Sequence, residues 1–187
     1  MLSRKRSILL GGMSTLFLLM CSLILSEFMM RLPLIRSQEQ ESALENPEMY
    51  YEVARSVDGD TIELTDGRKV RYIGINTPET VDPRRKVECF GKEASDFNKE
   101  LVEGKKVRLE RDVSETDRYG RLLRFVYLED GTFVNEVLVR EGYAHASAYA
   151  PDLSRKEFFA ETEKKARENQ QGLWAPDTCD GKTNARR

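Results

Sequence analysis

In this 187-residue chain, two short acidic stretches and two arginines carry the residue types that could do chemistry together. Val57-Asp58-Gly59-Asp60-Thr61 sets two carboxylates on either side of a glycine. Asn76-Thr77-Pro78-Glu79 offers an amide, a hydroxyl and a carboxylate at the end of a β-favouring run, Val70 to Ile75. Alone, the first reads as a solvated hairpin turn. Adjacent strand ends would bring Asp60, Asn76 and Glu79 together, and hard oxygen ligands converging in this way suit calcium. Arg71 sits inside the apolar run, and Arg121 opens another, Leu122 to Leu128. A guanidinium inside such a run needs an anion. Alone, Arg71 would be satisfied by an ion pair with Glu63 or Glu79, and Arg121 would be an exposed strand-edge charge. Joined to the oxygen ligands, the pair is what phosphodiester cleavage requires, because charge developing on phosphoryl oxygens needs fixed cationic donors and a metal ion at once.

Such a set must be held by strand ends, and the surrounding pattern supplies strands. Tyr51, Val53 and Val57 alternate, Thr61 to Leu64 is a short β-forming run, Asp66-Gly67 signals a turn, and Val70 to Ile75 follows. Ala94, Phe97 and Leu101, three and four apart between Gly91 and Gly104, predict an amphipathic helix. Val107 to Glu110 and Leu122 to Leu128 return to strand character, making five strands. Val134, Val137 and Leu138 predict a short helix stopped by Gly142. A capping box of Ser154 and Glu157 predicts a longer helix, through about Asn169 and ended by Gly172. Five short strands with three helices make a mainly β, α+β chain compatible with a small Greek-key barrel of the OB type; the count alone leaves a sandwich open.

Arg4, Lys5 and Arg6 precede an uncharged run of 18 residues, Ile8 to Leu25, with no small-residue cleavage site after it. This predicts a hydrophobic anchor helix or signal segment over 1–36, with the basic end cytoplasmic and the rest of the chain outside, either tethered or secreted. A polar tether over 37–49, a domain over 50–174 and a tail over 175–187 complete the organisation. Without residues 1–36, 25 basic residues stand against 31 acidic ones, a net of −6, which excludes a generally basic nucleic-acid coat. Contact with a polyanion must come from local arginines and lysines, and Arg84-Arg85-Lys86 is one such cluster, or else a solvated charge run. Cys21 lies in the apolar run; Cys89 and Cys179 lie in the part expected outside, where disulfides persist, and their pairing is a hypothesis that a free-thiol count tests.

Val57-Asp-Gly-Asp-Thr61, Val70-Arg-Tyr-Ile-Gly-Ile-Asn-Thr-Pro-Glu79, Phe90-Gly-Lys-Glu-Ala94, Asp117-Arg-Tyr-Gly-Arg121, Leu138-Val-Arg-Glu-Gly142 and Gly172-Leu-Trp174 resemble, in order and with similar spacing, the motifs of staphylococcal-nuclease-like proteins (the thermonuclease family). The resemblance spans Tyr50 to Trp174. It implies a five-stranded OB barrel with three helices and a calcium-dependent hydrolysis of DNA and RNA phosphodiesters that releases the 5′ oxygen and leaves a 3′ phosphate. On matching positions it implies Asp60 and the Thr77 carbonyl as calcium ligands, Arg71 and Arg121 gripping the scissile phosphate, and Glu79 orienting or deprotonating the attacking water. Tyr119 and Tyr149 are the candidates to meet the nucleotide, since aromatic faces bind bases with little sequence preference; as packing residues they would be partly buried.

Two departures stand out. Asn76 occupies a position where the family usually has aspartate, so a metal-site charge is missing and affinity should fall. After Gly142, Ser147 and Tyr149 precede Pro151 where the family carries two tyrosines. His145, the one histidine, lies outside the motifs and reads as structural, and Trp174 as packing. The expected protein is a monomeric nuclease; the alternative, prompted by Asn76, is a non-catalytic OB module binding nucleic acid or a protein, and a purely structural envelope role ranks last.

Overall fold

A computed structural model describes residues 49–80 and 87–182. The expected anchor, most of the tether and the Arg84-Arg85-Lys86 cluster lie outside those residues. Among the described residues, no helix is long and apolar enough to cross a membrane.

Short runs of β-formers become β1 (Tyr50–Ser56), β2 (Thr61–Leu64), β3 (Lys69–Tyr72), β5 (Lys106–Glu110) and β6 (Leu122–Leu128). They close into a barrel in the order β1-β2-β3-β6-β5, with β5 pairing back onto β1. All neighbours are antiparallel except β3 and β6, which run parallel with Val70 opposite Leu122 and Arg71 opposite Leu123. Alternate residues point inward: Val53, Ile62, Leu64, Val70, Tyr72 and Val107 are buried almost completely and fill the barrel.

The Val70 to Ile75 run is not one strand. β3 ends at Tyr72, Gly74 takes a φ of +79°, and β4 (Ile75–Asn76) leaves the barrel to pair with β7 (His145–Ala146). A Cβ at Gly74 would lie 2.5 Å from the Phe159 ring, so the positive φ and the close approach both call for glycine. Asn135 holds this bend: its Nδ2 donates to the Ile73 carbonyl at 2.9 Å while its Oδ1 accepts from the Val126 N–H at 2.9 Å.

The helices are α1 (Gly91–Val102), α2 (Val134–Arg140) and α3 (Lys156–Glu168). The expected capping box does not form. α3 starts without a side-chain cap, and the Ser154 N–H donates instead to Asp112 at 3.0 Å, a tertiary bond that takes the place of the local one. Nor does Gly172 end that helix; it opens a separate 3₁₀ turn, Gly172–Trp174. Trp174 packs with Ala166, Leu173 and Phe90, and His145 lies edge-on to it, 3.2 Å from Glu163. A disulfide joins Cys89, just before α1, to Cys179, with Cα atoms 6.0 Å apart.

Candidate active site

The Asp58–Asp60 turn connects β1 to β2 and sits against the bend that carries Asn76 and Thr77. Gly59 makes the approach possible, since a Cβ there would lie 2.6 Å from the Thr77 hydroxyl. Asp60, 5% exposed, accepts the Thr77 N–H on Oδ2 at 2.8 Å and the Thr61 hydroxyl on Oδ1 at 3.3 Å. Asp58 Oδ1 accepts the Asp60 N–H at 3.0 Å. Burial, then the Asp60 carboxylate beside it, raises the Asp58 carboxyl from 3.8 to about 6. Two carboxyl groups confined this closely favour an added cation.

Arg71 faces the same turn from β3, opposite Thr61 of β2. Its Nη2 lies 3.1 Å from Asp60 Oδ2 and donates to Asn76 Oδ1 at 3.1 Å, while Nη1 donates to the Tyr72 carbonyl at 2.7 Å. Its side-chain partners here are Asp60 and Asn76. Glu63, one of the two partners weighed from sequence beside Glu79, is bonded to Arg55. Asn76 Nδ2 donates to the Thr77 carbonyl at 3.2 Å. Asp60, Asn76 and Thr77 therefore bring carboxylate, amide and main-chain oxygens to one place.

Among the described residues, no group of three or more His, Cys, Asp or Glu side chains could hold a metal. An oxygen site here has to mix ligand types, and Asp60, Asn76 Oδ1 and the Thr77 carbonyl are chemically suited to a calcium-sized ion.

Arg121 comes from the turn before β6. Its Nε donates to Asp117 Oδ2 at 2.7 Å, and Nη1 reaches the Thr61 hydroxyl at a long 3.4 Å. Burial pushes the Asp117 carboxyl up, but its bonds to the Arg121 guanidinium and to the Arg121 and Tyr119 N–H groups outweigh this and hold it below the ordinary carboxylate range. The parallel pairing of β3 with β6 puts Arg71 and Arg121 on one cleft of about 300 Å³, together with Asp117, Leu123, Ser147 and Tyr149.

Tyr149 is 73% exposed on that cleft, and Tyr119, 69% exposed, stacks beside Arg118 and Arg121 with guanidinium-to-ring distances of 4.7 and 5.6 Å. Neither is a packing residue. Glu79 is half-buried beyond Pro78; its N–H donates to Glu88 Oε2 at 3.0 Å, its carbonyl accepts from the Glu88 N–H at 2.9 Å, and its Oε1 accepts the Thr80 N–H at 2.9 Å. These contacts place its backbone beside the start of α1.

Residues 69–176 match the family described as staphylococcal nuclease homologue. The chain belongs to that family. Three relatives resemble this staphylococcal nuclease homologue over most of its length. A thermonuclease of Staphylococcus hyicus is 44% identical over 131 residues, 68% of this chain and 77% of that protein. A thermonuclease of Staphylococcus intermedius is 42% identical over 127 residues, 66% and 75% of the two chains. The endonuclease YncB of Bacillus subtilis is 41% identical over 126 residues, 65% and 59%.

Sequence reasoning quoted Asp117 within a motif of this staphylococcal nuclease homologue but missed its part as the carboxylate that fixes Arg121. The four-residue spacing of Asp117 and Arg121 around Gly120 was the available signal. It also missed the Asn135 clamp on the bend, for which a polar residue in the first turn of an apolar helix offered only a weak hint.

Proposed function

We propose that this protein is a calcium-dependent nuclease that hydrolyses DNA and RNA phosphodiesters regardless of sugar and leaves 3′-phosphate ends. Family membership and relatives that are thermonucleases and an endonuclease support the nuclease part. The observation that supports a cation and a phosphate meeting at one place is the double position of Arg71: it touches Asp60 and Asn76 on one side and lines the Arg121 cleft on the other. A cation held by Asp60, Asn76 and the Thr77 carbonyl would neutralise charge on a phosphoryl oxygen.

Within that reading, the chain's own groups divide the work. Arg71 and Arg121 donate to the non-bridging oxygens of one phosphate and stabilise the charge that builds there. Glu79 orients or deprotonates a water; the water oxygen bonds to phosphorus, the bond to the 5′ oxygen breaks, and that oxygen leaves with the proton the water gave up. Tyr119 and Tyr149 offer faces to flanking bases without choosing among them. Backbone and phosphate contacts dominate, which is why the sugar is not read.

The site of action proposed is outside the cytoplasm, with the chain secreted or held by its N-terminal segment. The basic cluster followed by the apolar run Ile8 to Leu25 supports this, as does a disulfide, which persists in oxidising compartments.

The test is cleavage of single-stranded DNA and RNA by the protein with calcium or with a chelator, beside Arg71→Ala and Glu79→Ala. Cleavage that needs the metal and is lost in both variants is expected, with 3′-phosphate ends. Binding without cleavage would mean a non-catalytic module.

A further inference from the structure

We infer that Asn98, on α1 and outside the cleft, is a positioning residue that sets the Asp58–Asp60 turn for cation binding; this rests on the calcium reading above. Asn98 belongs to the buried face of α1, between Ala94 and Val102, and is itself 0% exposed. An amide in that apolar stripe is costly unless its polar atoms are paired. They are paired with three groups around the site. Nδ2 donates to the Asp58 carbonyl at 2.9 Å and to the Ser56 hydroxyl at 3.0 Å, and Oδ1 accepts the buried Tyr72 hydroxyl at 3.0 Å. The Ser56 hydroxyl donates to the same Asp58 carbonyl at 2.8 Å.

Two donors thus grip one main-chain oxygen at the head of the turn. From there the order passes along the chain: the Asp58 carboxylate accepts the Asp60 N–H, and the Asp60 carboxylate accepts the Thr77 N–H and meets Arg71. At the far end, the Val57 and Asp58 N–H groups both donate to the Thr61 carbonyl at 2.8 and 3.3 Å, so the turn is held from both sides. Packing alone would be served by an apolar residue at position 98. The amide adds a fixed direction for the Asp58 carbonyl, and site rigidity is one of the properties that set calcium affinity.

The bond from Tyr72 is the control. It anchors Asn98 to β3, and the bond Tyr72 makes to the turn, its N–H to the Asp60 carbonyl at 3.0 Å, is main chain, so Tyr72→Phe weakens the buried network while leaving that bond and both donors to Asp58 in place. Calorimetric titration of calcium into the wild-type protein, Asn98→Ala, Ser56→Ala and Tyr72→Phe, without nucleic acid and with melting temperatures recorded, separates positioning from plain stability. The expected dissociation constant rises about tenfold in Asn98→Ala and about threefold in Ser56→Ala, and stays at the wild-type value in Tyr72→Phe although its melting temperature falls. Should Asn98→Ala fail to fold, the contrast between Ser56→Ala and Tyr72→Phe decides. Wild-type affinity in the Asn98 and Ser56 variants, or equal weakening in the Tyr72 variant, overturns the inference and leaves the calcium reading standing. A wild-type protein that binds no calcium overturns both.

Discussion

Arg71 and Arg121 line one cleft, yet they are held in opposite ways. Arg71, with a side chain 14% exposed, is fixed by Asp60 and Asn76, the same groups that suit a cation. Arg121, 28% exposed, is fixed by Asp117 inside its own turn and meets the cation side only through a long contact to Thr61. One guanidinium is therefore coupled to the groups proposed to hold the cation, and the other is preorganised without them. Charge near the Asp60 turn should act on both calcium and phosphate through Arg71, whereas changes around Arg121 should act on phosphate alone.

The sharpest way to break this contrast is to remove each guanidinium in turn. Arg71→Ala and Arg121→Ala should each lower kcat by about 10²–10³-fold, the usual cost of losing one fixed donor to developing charge. Calcium affinity measured without nucleic acid should tighten in the Arg71 variant, which loses a positive charge from the ligand cluster, and stay unchanged in the Arg121 variant. Equal shifts in both would erase the difference. Asp117→Asn comes next: losing a charge-assisted bond to Arg121 should cost about tenfold in kcat with calcium binding untouched. A shift in the calcium dissociation constant would show that the Arg121 turn is coupled to the metal after all. Smallest is Asn76→Asp, which restores a carboxylate and should tighten calcium by about threefold, because affinity follows ligand charge. An unchanged or weaker calorimetric constant contradicts it.

The two halves of the site were unequally legible from the residue string. The Asp58–Asp60 turn, Arg71, and the Asn76–Thr77 bend could be grouped because strand-forming runs end beside them, and five strands, three helices and their order followed from periodicity and turn residues, whereas the choice of barrel over sandwich came from the family resemblance. The break at Gly74 and the β4–β7 pair were hidden, since a strand of two residues has no period to read. Partner choice was hidden too. Glu63 and Asp60 are equally acidic on paper, but opposite register positions send Glu63 to Arg55 and leave Asp60 for Arg71. Ser154 had the spacing of a helix cap, and only the folded chain brings Asp112 close enough to take its N–H. Asn98 carries no signal in the residue string, because its three bonds form only in the folded chain.

The coupling of cation and phosphate through Arg71 is tested most directly by titrating calcium into the protein with and without a cleavage-resistant phosphorothioate oligonucleotide. One calcium per chain, bound more tightly when the oligonucleotide is present and with the oligonucleotide tightened by the same factor in return, is the predicted result. Calcium that binds equally well in both conditions, or not at all, would contradict it.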